Sequence, residues 1–180
     1  MPPQDESFTN AMGSVNKKYP VIGKHNIGVT QGSGPYYSEF YPAWEEDNKW
    51  NGRPTIELQD KAKGLSTQLT ESLLAGESLH HLGGVNPQTG EPVDPYWNQF
   101  RNAFKNTLTP QQDSVDRKAY LQDVKTGDTR GYDQWHDVSR LDAYLRGYLF
   151  PDENNEWRGS YTRHQEMLMD EMRKYLEGSK

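Results

Sequence analysis

The stretch Gly76-Glu77-Ser78-Leu79-His80-His81 holds the densest set of groups in the chain that could do chemistry. A helix binds zinc when two imidazoles stand four residues apart on one face, and a Glu beside the first then acts as base toward the metal-bound water. Here Glu77 and His80 occupy that frame, but Gly76 stands where the first imidazole is needed. The usual zinc site is therefore incomplete, and no metal or cofactor is expected. A second chemistry fits Glu77-Ser78: a single Glu near a helix end can protonate a glycosidic oxygen if partial burial raises its pKa. If the chain is an enzyme, Glu77, His80 and His81 are the catalytic candidates; otherwise there are none. The plainer reading is preferred. His80 falls on the stripe Leu65, Leu69, Leu73 as a hydrogen-bonded core residue, and Gly76 marks the close approach of another backbone. Glu77 and His81 are then flank residues, with a cationic His81 suiting the helix C-terminus.

Other polar clusters are weaker. Asp133, His136, Asp137 and Arg140 read as a solvated ion-pair ladder, and Asp152 to Glu156 lacks EF-hand spacing. Ser78 and Ser139 lack a nucleophile elbow. No Cys is present, which removes disulfides and thiolate ligands. The net charge of -6, with no basic stretch, argues against direct binding to nucleic acid. Nothing approaches the apolar length of a membrane helix, and the start MPPQDESFTNAMGS has no signal-peptide pattern. A soluble product made in the cytoplasm is expected.

The elements that must position these residues divide into two parts. Residues 1–50 are punctuated by Gly and Pro and read as an extended arm, with one brief strand near Tyr19 to Ile22. The arm ends in an aromatic, acidic stretch carrying Tyr36, Tyr37, Phe40, Tyr41, Trp44 and Trp50. Residues 51–180 read as a helical domain. Thr55 to Leu58 is a strand with Ile56 and Leu58 on one face, and it needs a partner from the lead segment or from another subunit. A helix follows with Ser66 as N-cap and Gly83-Gly84 at its end. The next starts near Pro95 and carries Tyr96 or Trp97, Phe100, Phe104 and Leu108 on one face. Capping boxes at Thr109/Gln112 and Thr162/Gln165 open two more, and a helix over about 132–150 is stopped by Pro151. The expected fold is mainly α: a compact bundle of about five helices with one or two short strands and a long extended N-terminal arm.

Three resemblances bear on function. The frame around Glu77 and His80, preceded by a strand, resembles zinc metalloproteases without their first ligand. The Glu77-Ser78 context resembles lytic transglycosylases, whose downstream Gly-Leu-Met-Gln stretch is absent. Four stretches resemble small uncharacterised proteins of tailed bacteriophages and prophages: Phe40 to Glu45, Arg53 to Glu57, Glu77 to Gly83 and Asp142 to Pro151. This last resemblance implies a virion setting and carries no catalytic assignment. The expectation is a phage structural or accessory protein working by protein–protein contact. Its partners would be other virion proteins or copies of itself, and the arm aromatics its contact residues. The alternatives are a cell-wall-active or degenerate zincin-like enzyme, or a host-directed binding protein.

Overall fold

The computed structural model describes residues 6–35, 37–46, 48–110, 112, 140–151 and 161–179. In chain order the elements are α1 (Glu6–Lys18), α2 (Pro20–Gly23), β1 (Gly28–Gln31), β2 (Ser38–Tyr41) and β3 (Thr55–Leu58). A 3-10 turn (Asp60–Gly64), α3 (Thr67–Leu82), α4 (Pro95–Lys105), α5 (Arg140–Leu149) and α6 (Arg163–Leu176) follow.

The strands form one mixed sheet in the order β1-β3-β2, with β1 parallel and β2 antiparallel to β3. The central strand does find its partner in the lead segment, and on both sides. Ile56 and Leu58 are fully buried, as their alternation predicts. Their cross-strand neighbours Val29, Phe40 and Ser38 share that inner face. Gln59 fixes the crossing from β1 to β2: its N–H donates to the Tyr37 carbonyl, and its side-chain oxygen accepts from the Gly34 N–H.

The expected mainly α bundle with an extended N-terminal arm is corrected by these elements. The fold is mixed α/β with helices predominating, and the N-terminal residues are structural. Phe8, Ala11, Met12 and Val15 recur at helical spacing along α1 and are all buried, packed against α3. The brief strand expected near Tyr19 to Ile22 is the short helix α2.

α3 is the most enclosed element. Leu74, Ala75, Ser78, Leu79 and Leu82 are buried, while Leu65, Leu69 and Leu73 of the expected stripe are only half-buried. α1, the sheet and α5 surround the helix, so no single apolar stripe describes it. Its ends follow expectation at the start: Ser66 Oγ accepts from the Leu69 N–H at 3.1 Å. At the far end Arg101 donates to the Gly83 carbonyl at 2.7 Å, a cation where the helix dipole favours one.

Both capping boxes form, and they are joined. Gln165 caps α6 through Thr162, and Gln112 pairs with Thr109 in the same way. The two buried amides then bond each other reciprocally, at 2.8 and 2.7 Å, and Gln165 also donates to the Thr107 carbonyl. The predicted helix beyond Gln112, and Trp135 and Val138 of the helix over 132–150, lie outside the described residues.

Two stability outcomes are expected. Gly13 lies inside α1, and among the described residues nothing outside the helix's own nearby backbone comes within 4 Å of an added Cβ. Gly13→Ala should therefore stabilise by about 0.5–1 kcal/mol, read as a rise of a few degrees in a thermal melt. Gln165→Ala removes a cap and leaves the buried Gln112 amide short of a partner. It should destabilise by roughly 2–3 kcal/mol, read as a lower urea midpoint.

Candidate functional site

The chemistry-bearing residues of α3 divide between two faces. Ser72, Gly76 and His80 recur every four residues and face α5. Glu77 and His81 face the sheet. On the α5 side, the residues one turn apart, Asp142 and Arg146, run antiparallel to that stripe. Asp142 Oδ2 lies 2.7 Å from His80 Nδ1, and Arg146 donates through Nε to Ser72 Oγ at 2.6 Å. A Cβ built on Gly76 would meet Arg146 Cδ at 3.4 Å. Gly76 therefore admits a side chain, where the sequence reading expected a backbone. The place of the missing imidazole is taken by the Arg146 stem, and an imidazole there would have to displace it.

His80 keeps 26% of its side-chain area exposed, whereas Asp142 keeps 7%. Burial works against a charged His80, but the Asp142 carboxylate outweighs it and Glu77 adds to the effect. The pKa is pushed up to about 9. The shift favours the imidazolium form of His80, paired with Asp142, at neutral pH.

On the sheet side, Glu77 accepts a hydrogen bond from Ser38 Oγ at 2.8 Å, which ties α3 to β2. His81 is buried between the His25 ring, edge-on at 4.8 Å, and the Phe40 ring at 5.7 Å. Its Nε2 lies 3.2 Å from His25 Nδ1, and its own Nδ1 is buried with no hydrogen-bond partner among the described residues. The cheaper tautomer carries the proton on Nε2 and donates it to His25, so that the orphaned atom is a lone pair rather than an N–H. Burial, then the neighbouring His25, pushes His81 down to about 4. Burial also lowers His25, against the pull of Asp94. The expected roles are exchanged: His80 is the cation near the helix end, and His81 is the core residue.

Glu77, His80 and His81 therefore share a helix but not a site. Among the described residues, no group of three His, Cys, Asp or Glu side chains could hold a metal ion. An open cleft of about 470 Å³ lies on another side of α5, lined by Tyr148, Tyr161, Glu166, Asp170 and Arg173, and neither Glu77 nor His80 reaches it. Sequence reading missed Asp142 and Arg146 as partners of α3. Their spacing of four, with opposite charges, was the available signal.

The described aromatic candidates are dispersed from Tyr37, just before β2, along β2 and into the loop after it. Phe40 is half-buried and packs on the core. Tyr41 and Trp50 lie 5.3 Å apart, and the Tyr41 hydroxyl donates to Glu39. Trp44 packs on Gly84. Tyr37 is the most exposed at 48%, with Lys61 over its ring. Tyr36 lies outside the described residues.

The opposite shifts of His80 and His81 give a two-sided pH dependence. The folded pKa of His81 lies below its unfolded value of about 6.5. Its contribution is present above pH 6.5 and is lost as pH falls toward about 4. The folded pKa of His80 lies above its unfolded value. Its contribution is present below pH 6.5 and is lost as pH rises through about 9. Imidazole NMR titration should resolve the two steps, and Asp142→Asn should lower only the upper one.

No helix among the described residues is long and apolar enough to cross a membrane. Comparison with protein-family models, with curated proteins and with solved structures finds no match for this chain.

Proposed function

We propose that this protein works by protein–protein contact, as a structural or accessory component of a phage particle. The setting rests on the resemblance of the stretches around Phe40, Thr55, Glu77 and Tyr144 to small phage proteins. The mode of action rests on the state of the Glu77/His80 cluster. His80 is held by Asp142, and Arg146 fills the space beside Gly76. That arrangement supports a structural role for the helix that a zinc hydrolase would use for catalysis. The contact surface is not a free arm, because α1, β1 and β2 belong to the folded body. It is carried by the aromatic segment from Tyr37 to Trp50, whose rings are exposed or half-buried beside acids. Rings of this kind dominate interface energetics when a partner covers them.

Mass spectrometry of purified particles of the encoding phage tests the reading, with copy number measured against the major capsid protein. A fixed, stoichiometric copy number is expected. Tyr37→Ala with Trp50→Ala should reduce incorporation by ~10-fold or more, the loss of about 1.4 kcal/mol of contact energy, while leaving the thermal melt close to that of the parent. Absence from the particle would overturn the proposal.

A further inference from the structure

Among the described residues, the sheet ends in a strand whose outer side carries no further pairing. β2 is the last strand in the order β1-β3-β2, and the described backbone groups make no hydrogen bonds to Ser38, Glu39 or Phe40 beyond the pairing with β3. The opposite edge, β1, lies against α1. An open edge presents alternating N–H and C=O groups that pair readily with another extended segment.

Charge decides what can pair there. On the outer face of the sheet Glu39 stands directly opposite Glu57. Like charges in that position are destabilising. Each carboxylate turns to a neutral partner, Glu39 to the Tyr41 hydroxyl and Glu57 to the Gln59 amide. Neither has an ion-pair partner among the described residues. Glu77 lies beneath the same strand on its inner face, bonded to Ser38, and Glu45 and Glu46 follow in the loop. The nearby cations are Lys61, over the Tyr37 ring, Lys49 in the loop, and Arg53, which lies over Gly28 toward the β1 edge of that face and is bonded to Asn26. A second copy of this chain would bring another Glu39 to the same edge and be repelled.

We propose that β2 is a docking edge for an extended, lysine- or arginine-bearing segment of a partner protein, which adds as a fourth strand. Its basic side chains lie on the Glu39/Glu57 face and neutralise that pair. Its intervening small or apolar side chains lie on the inner face beside Ser38 and Phe40. This rests on the protein-contact reading above and names the chemistry of the partner.

The test uses the full chain and a capped peptide that alternates valine and lysine. The expected result is saturable binding by fluorescence anisotropy, with amide NMR shifts concentrated on residues 38–41. Methylating alternate backbone nitrogens of the peptide should abolish binding, and a valine–glutamate peptide should not bind. Glu39→Gln with Glu57→Gln should weaken binding ~10-fold, with the fold checked by circular dichroism. Binding that survives backbone methylation would show simple charge attraction and overturn strand addition, as would no binding at all. Concentration-dependent dimerisation through β2 in sedimentation would also overturn it, in favour of self-pairing. Failure of the peptide while particles still carry the protein would remove this inference alone.

Discussion

The structure depends on how closely other elements can approach α3. Small side chains at Ser72, Ala75, Gly76 and Ser78 let α5 and the other packed elements reach a helix that has no free side along most of its length. A fully wrapped helix cannot be read as amphipathic, and its polar residues must find partners inside the protein. Ser78 returns its hydroxyl to the Leu74 carbonyl, Ser72 takes the Arg146 guanidinium, Glu77 takes Ser38 and His80 takes Asp142. Each of these bonds also joins α3 to the rest of the fold or closes its own turn. The residues that looked like chemistry are therefore the ones that hold the helix in place.

This accounts for the contrast between two adjacent histidines. One residue of helix turns the side chain by about 100°, enough to move it from a carboxylate-lined seam to an aromatic one. His80 meets Asp142, which pushes its pKa up, whereas His81 is buried against His25 and Phe40 and its pKa is pushed down. Sequence distance carried no information about this difference, because the deciding partners are tens of residues away.

Local signals were legible where the determinant is local. The Ser66 cap, Pro95 at a helix start, both capping boxes and the Ile56/Leu58 face depend on residues within one turn or one strand. The sheet was not legible, since β1 and β2 are four residues each, carry no clear alternation and are defined by pairing with a distant β3. α1 was missed for another reason. Its Phe8, Ala11, Met12, Val15 stripe is regular, but Gly13 and several Asn and Ser residues lower helix propensity, and packing on α3 overrides that weakness. Of the candidate site, Glu77 and His80 were visible as residue types. Their real partners, Ser38 and Asp142, come from other elements.

The joined amides of Gln112 and Gln165 have a kinetic corollary. Each side chain ties down the backbone of its own helix start and grips the other, so neither start can fray without releasing its counterpart. Amide hydrogens around Thr109 and Thr162 should then exchange with solvent in a single correlated opening. Two regions about fifty residues apart would behave as one cooperative unit, joined by side chains that carry no charge and no apolar core.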